Sequence, residues 1–552
     1  MKRPEIKDLT LREKIGQTCI FRHYNIRKIS DVKEYFKNNP VGASWVMGHS
    51  KALYEQTEKF FDNPDCNGRK DEMHMNYVNL VNSLIKVPMI PVMDASRGIA
   101  EDKFPGHVEF PQAISLGATN DPELAYRYAN ILGQDLHSIG YRWVWSPVAD
   151  NAEHFIDSRE LGANHENNCK MLAAFVKGLQ DAGVAAGAKH FPGSDPYEYR
   201  DSHFCTTSYA QSFEYWENTQ AKEFKACIDA GVASIMISHK TFKAVDDTRV
   251  NGCLLPASLS YKVITELLKG KMGFEGVVLP DDTDMKGLTA IYPQEKLYVE
   301  LLRAGCDMVL GPQLPNYVDI VEQAVLNGEL PESRIDDACE RVLKMKEKFG
   351  LFDQGELEYP TEERREEINR KAQELVREIS EKSITLVANR TNFLPLKSDD
   401  IKKVKIVYIG YSDDCYKNLR YMVEEFERHG AVCDVQRGFE AKDNETLNQY
   451  DLIVYATYIG FFKPEGGPYF FGAECRMMRQ IMTTCTEKSI GVSFGSPDIF
   501  FNYFTAAHTF VNAYSENPET MQSFVKGLYG EIDFTDYSPF PLNPITRTNE
   551  VY

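Results

Sequence analysis

The chain lacks any run approaching the roughly 20 apolar residues that a membrane helix requires, and its opening stretch, MKRPEIKDLTLREKIGQ, has no apolar signal core. Both absences predict a soluble, cytoplasmic protein. Cations are in deficit as well: 62 Lys and Arg stand against 81 Asp and Glu, a formal charge of −19 over 552 residues. An acidic field of this kind repels nucleic-acid backbones and anionic membrane surfaces, so no nucleic acid and no membrane is expected as a partner, and a neutral small substrate fits better. The twelve cysteines stand singly from Cys19 to Cys485, with no CxxC pair and no zinc-like Cys/His spacing. Reduced thiols are the simpler reading, and Cys205, two residues after His203, reads as an incidental one. Internal repeats and low-complexity blocks are also missing. Gly410 and Gly495 follow apolar runs but complete no phosphate-cradling motif, which argues against a nucleotide site.

What is present is a long alternation. The length exceeds one ordinary domain and favours a large α/β barrel followed by a smaller unit. Short apolar runs, VGASWVM, PMIPVMD, RWVWSPVAD, GVAAGAKHF, ASIMISH, GVVLPDD and DMVLGP, alternate with amphipathic segments up to about residue 350. One such segment starts at Asp121-Pro122, repeats Leu124, Tyr128, Ile131 and Leu132 at helical spacing, and stops at Gly140. Several runs end in polar residues, among them Asp94, Asp150, His190, His239 and Asp281. A parallel barrel with its site at the C-terminal mouth does this; an open doubly wound sheet would too, and the barrel is preferred.

The composition changes at ELEYPTEERREEINRKAQELVREISEKS, a charged connector leading into a helix. Beyond it, KVKIVYIG, DLIVYATYIG and KSIGVSFGSP alternate with helical stretches such as NLRYMVEEFERHG. The expected organisation is a (β/α)8 barrel over residues 1–355, a connecting helix over 356–382 and an α/β sandwich over 383–552. The final DFTDYSPFPLNPITRTNEVY reads as an ordered strap or a frayed end.

The chemistry concentrates in KHFPG at 189–193, in Asp201-Ser202-His203, and in the acid pair Asp281-Asp282 closing an apolar run. A carboxylate and a carboxylate-oriented imidazole suffice to break a glycosidic bond through a covalent intermediate. An imidazole with an ordinary pKa near ~6.5 can give and then take a proton near neutrality. Asp201, two positions earlier in an extended segment, shares its face and can orient the ring. Without the upstream motif a bare Asp-x-His would read as a polar turn. Among Asp281, Asp282 and Asp284 chemistry alone does not choose the nucleophile, since either later acid could be a solvated turn residue or hold Lys286. The intervening SDPYEYR suggests a loop that closes over substrate. Trp143 and Trp145 read as core rather than as a sugar platform.

These motifs, with LTLREKIGQ, FPQAISLGATNDPELA, WVWSPVADN, FIDSRELG, GFEGVVLPDDTDMKGL, SITLVANRTNFLPL and VSFGSPDIFFNYF, resemble glycoside hydrolase family three, in particular its β-N-acetylglucosaminidase branch. The resemblance covers nearly the whole chain and implies a barrel, an α/β sandwich and a retaining β-glycosidase. It assigns the nucleophile to Asp281, the acid/base to His203 with Asp201, and sugar hydroxyl contacts to Asp94, Arg97, Arg159, Lys189 and His190. Departures are local: Ser194 and Asp195 follow KHFPG where that branch has histidine and glycine, the loop to Asp201 is one residue longer, DASRG replaces a glycine-rich form, and Pro280 replaces a serine. The leading expectation is release of terminal β-N-acetylglucosamine from small saccharides, with no metal or organic cofactor. Phosphorolysis with inorganic phosphate as acceptor is the alternative, because a histidine lacks a permanent negative charge that would repel the anion. A β-glucosidase-type specificity and a non-catalytic sugar-binding role are the remaining readings.

Overall fold

The computed structural model describes residues 2–22, 29–45, 70–99, 104, 106–151, 158–198, 200–312, 316–440, 443–460, 470 and 486–543. The chain divides into two compact units: Met1–Glu109, Ala125–Asp150 and Cys169–Ala372 form the first; Phe110–Leu124, Asn151–Asn168 and Gln373–Tyr552 form the second. The division is therefore interleaved in sequence, two short segments of the N-terminal half clustering with the C-terminal unit.

The first unit is built on eight parallel strands: β1 Cys19–Arg22, β2 Ala43–Trp45, β3 Ile90–Met93, β4 Trp143–Val144, β5 Ala185–Phe191, β6 Ser234–Ile237, β7 Val277–Pro280 and β8 Val309–Leu310. From β1 to β7 each pairs with its neighbour in chain order, and β1 also pairs with β8. Between β7 and β8 the ring is closed by single contacts, the Asp307 and Met308 N–H groups donating to the Val278 carbonyl at 2.7 and 3.2 Å. The Asp307 carboxylate accepts the Val278 N–H at 2.9 Å. This is a TIM-like barrel, and seven strands fall within the expected apolar runs. β1 has no counterpart among them, because four residues ending in Arg22 are too short an apolar signal to register.

The strands are continuous apolar runs because helices and the barrel interior cover both faces. Inside the ring, Ile20, Ala43, Ile90, Trp143, Ala185, Val277, Leu279 and Leu310 belong to one buried cluster. Trp143 and Trp145 are fully buried in it, as expected, and the Trp143 indole N–H donates to Ser234 Oγ at 2.8 Å. The helix read from Asp121 onward is Pro122–Ser138; the Asp121 carboxylate accepts the N–H of Glu123, and Gly140 follows at φ +95°.

In the second unit six strands, β9 Thr385–Asn389, β10 Lys403–Gly410, β11 Val432–Arg437, β12 Leu452–Tyr458, β13 Ser489–Ser493 and β14 Thr509–Asn512, pair in the order β9-β14-β13-β12-β10-β11. Only the β9–β14 pair is antiparallel. Alternate residues of β10 divide between two cores: Val404, Ile406 and Tyr408 pack with Leu419, Met422 and Phe426 of the helix Asp413–Arg428, whereas Val407 and Ile409 pack with Phe500, Phe504 and Phe510. The α/β sandwich follows from that alternation. Gly410 and Gly495 serve close packing, since a Cβ on either would stand within 2.4 Å of the Tyr458 or Ile459 carbonyl oxygen. From the C-terminal strap, Thr535 bridges to Thr385.

Candidate active site

All eight strands point the same way, so their C-terminal ends share one mouth. Arg22 ends β1, Asp94 follows β3, Lys189 and His190 lie near the end of β5, His239 follows β6, and Asp281 follows β7. The β5–β6 register shifts between Lys189 and Phe191, leaving His190 unpaired in the ladder. Such a bulge re-aims the side chain it frees. His190 Nδ1 lies 2.6 Å from Asp150 Oδ2, and a carboxylate only accepts, so this nitrogen carries the proton. Its Nε2 lies 4.0 Å from Asp281 Oδ2. Beside it, Lys189 Nζ donates to Asp94 Oδ1 at 2.5 Å.

The three candidate acids after β7 differ in environment. Burial pushes the Asp281 carboxyl up, but His190, His239 and the Asp282 N–H, which donates to Asp281 Oδ1 at 2.8 Å, outweigh it and hold it below the ordinary value. Burial pushes Asp282 up to about 7 against the opposing charge of Arg22, with Asp284 and Asp281 adding to the rise. Asp282 forms an ion pair with Arg22, which also stacks over the Trp45 ring at 4.6 Å. Asp284 is exposed and 3.5 Å from the same guanidinium. The partner of both later acids is thus Arg22, where sequence reading offered Lys286. Asp281 combines a carboxyl held below the ordinary value with a side chain 20% exposed.

His239 lies buried behind the pair. Its Nε2 meets the Asp282 carbonyl at 2.9 Å, so it donates there, and Ser258 Oγ lies 2.8 Å from Nδ1. Burial lowers its pKa, and the ring braces the Asp282 backbone.

His203 stands in the long loop after β5, in a turn where the Asp201 carbonyl accepts the N–H groups of Phe204 and Cys205, each at 3.2 Å. His203 Nδ1 lies 2.6 Å from Asp201 Oδ1, which also accepts the His203 N–H at 2.8 Å. Nδ1 is thereby committed to the carboxylate. The Asp201 side chain is 7% exposed and the His203 side chain 55%. This turn is docked on the loop after β7: the Lys286 N–H donates to the His203 carbonyl at 3.2 Å and the Gly287 N–H to the Ser202 carbonyl at 3.3 Å. The His203 charge accordingly stabilises the Asp281 carboxylate.

The preceding segment is stapled rather than slack. Asp195, 2% exposed, accepts the N–H groups of Tyr197 and Ala210 at 2.8 and 2.7 Å; Glu198 holds Arg200 and the Ser208 N–H. Ser194 Oγ accepts from Lys240 Nζ at 3.0 Å. The departures at 194 and 195 therefore build the loop that carries His203. Arg97 pairs with Glu109 at 3.0 Å, and Arg159, half-buried, belongs to the second compact unit. Asp150, His239 and Arg22 enter the site description from structure. Asp150 and His239 were read in the sequence as polar ends of apolar runs, without a role in the site; Arg22 carried no such signal. The Cys205 thiol donates to the Asp201 carbonyl at 3.4 Å.

Comparison with known proteins matches residues 10–345 to the model of the glycosyl hydrolase family 3 N-terminal domain. A β-N-acetylglucosaminidase/β-glucosidase of Cellulomonas fimi is 26% identical over 461 residues, covering 77% of this chain and 79% of that protein. A lysosomal β-glucosidase of Dictyostelium discoideum is 28% identical over 65% of this chain, which spans only 46% of that relative's length. Among solved structures, a glycoside hydrolase family 3 β-N-acetylglucosaminidase from Paenibacillus sp. str. FPU-7 superposes with a TM-score of 0.79 at 26% identity, covering 97% of this chain and 99% of the other. The β-glucoside phosphorylase BglX shares the fold with a TM-score of 0.83 at 22% identity, covering 98% and 95%.

Proposed function

This chain belongs to glycosyl hydrolase family 3, and on that premise we propose that it is a retaining exo-β-glycosidase that releases terminal β-N-acetylglucosamine from small cytoplasmic saccharides. The observation that carries the reading is the docking of the His203 turn onto the loop that follows Asp281, through the Lys286 and Gly287 N–H groups. It supports the reading because it holds the turn of His203 against the loop that carries Asp281, some eighty positions away in sequence.

In the first step the Asp281 carboxylate attacks the anomeric carbon, the glycosidic C–O bond breaks, and His203 Nε2 gives its proton to the leaving oxygen. Asp201 holds the ring in the required tautomer. In the second step the neutral imidazole takes a proton from water, whose oxygen displaces Asp281 and restores the anomeric configuration. His190, braced by Asp150, and the Lys189–Asp94 pair supply polar groups for sugar hydroxyls, with Arg97 as a further contact. The names of the relatives support both 2-acetamido and plain glucosides. Aryl β-glycosides with and without the acetamido group choose between them.

Phosphorolysis is the second reading, favoured by the imidazole in the acid/base position: after protonating the leaving group it is neutral, so a phosphate anion meets no carboxylate in its path. Product analysis with and without phosphate separates the two, sugar 1-phosphate being the mark of phosphorolysis. The nucleophile is tested by Asp281→Gly with added azide. Loss of turnover and recovery as a glycosyl azide of inverted configuration is expected; full turnover without azide removes the assignment.

A further inference from the structure

We propose that Phe204 forms a wall of the leaving-group subsite and favours substrates whose leaving group presents a flat apolar face, a second pyranose or an aryl ring. The inference rests on the proton-donor role of His203 and deepens that reading by naming a specificity residue. Phe204 is 69% exposed, and Tyr197 on the same loop is 64% exposed. An isolated exposed aromatic side chain needs no explanation. Here its frame is what matters.

The Asp201 carbonyl accepts the N–H of Phe204, so Phe204 and His203 sit in one turn. That turn is tied to Lys286 and Gly287 behind it, and the segment leading into it is cross-linked by Asp195 and Glu198. Downstream, Ser208–Tyr209 pairs in parallel with Thr241–Phe242 of the loop after β6. These contacts fix the backbone that bears the exposed ring, so its position relative to His203 is set by the turn. The chemistry locates its partner. The oxygen that His203 protonates is bonded to the leaving group, so the first ring of that group lies within a few ångströms of the imidazole, within reach of the next residue in the turn. The C–H face of a pyranose and the face of an aryl group both stack on an aromatic ring and remove its apolar surface from water.

The test compares wild type, Phe204→Ala and Phe204→Trp on three β-glycosides of one sugar: the fluoride, a nitrophenyl glycoside and a disaccharide. For Phe204→Ala the ratio of kcat/KM on either ring-bearing substrate to that on the fluoride should fall about tenfold, the size of one lost aromatic stacking contact. The change should lie mainly in KM, and Phe204→Trp should restore the ratio. A difference between the nitrophenyl and disaccharide arms tells which ring the wall prefers. An unchanged ratio, or equal loss on all three substrates, overturns the inference and leaves the proposed function standing. Wild-type turnover of none of the three removes the proposed function and this inference with it.

Discussion

Gly287 offers a way to move the proton donor without touching it. A Cβ at this position would stand 3.2 Å from the Cys205 carbonyl oxygen, 3.3 Å from that of Ser202 and 3.6 Å from His239 Cβ. Ordinary contact begins at 3.4 Å, so Gly287→Ala requires the His203 turn to retreat by about 0.2 Å. The two further methyl groups of Gly287→Val reach past the Cβ and require a displacement on the order of 1 Å, which can cost about 10²-fold in rate when a catalytic group is misplaced by that much. Gly287 is not in the left-handed region, so neither side chain is opposed by its backbone. The Val variant also loses the N–H bond to the Ser202 carbonyl, worth about 1 kcal/mol locally. The assay is kcat/KM on alkyl and on activated aryl β-glycosides, alongside the melting temperature. The Ala variant should stay within about threefold of wild type. The Val variant should lose about a hundredfold on alkyl glycosides and far less on activated aryl ones, which need little protonation. A folded Val variant with wild-type turnover of alkyl glycosides would refute the claim that this docking positions the acid/base.

Replacing His203 by Gln should lower turnover of poor leaving groups by roughly 10²–10⁴-fold while sparing activated aryl substrates; equal loss on both would give His203 another task. A separate prediction concerns stability. His107 is 3% exposed, with Asp135 at 2.8 Å from Nδ1 and Asp71 at 3.8 Å from Nε2. Burial opposes its charge, but the two carboxylates prevail and raise its pKa from 6.5 to about 9. A raised basic group stabilises the fold fully below about 6.5 and loses that contribution as pH rises through about 9, here roughly 3 kcal/mol. Urea midpoints should fall across that window in wild type, and His107→Asn should be less stable at pH 6 and lack that fall. An identical alkaline decline in the variant would show that another group is responsible.

Strand identity in the barrel was legible because a parallel strand buried on both faces must be a short apolar run, and a polar residue at its end marks the mouth. The same reasoning missed β9, β11 and β14 in the second unit. β11 is the plainest case: VCDVQR is an edge strand with four of its six residues exposed, so no burial constrains its composition. Around the mouth, Lys189, His190, Asp94, His203 and Asp281 were named from local motifs, because each is written in a short stretch that ends a strand or forms a turn. Their relations were not written there.

Local sequence determined where carboxylates and imidazoles stand along the chain and which residues share a strand or a turn. Tertiary structure decided that Asp282 is taken up by Arg22 from β1, two strands round the ring, that Asp150 braces His190, and that the His203 turn rests on Gly287. The physical reason is the closure of the barrel. Strand register and short helices set the residues along each element, but only a ring that joins β8 to β1 brings side chains separated by hundreds of positions within hydrogen-bonding distance. The electrostatics that hold Asp281 ionised and push Asp282 toward its neutral form arise from those neighbours and from burial, and neither exists until the ring is closed.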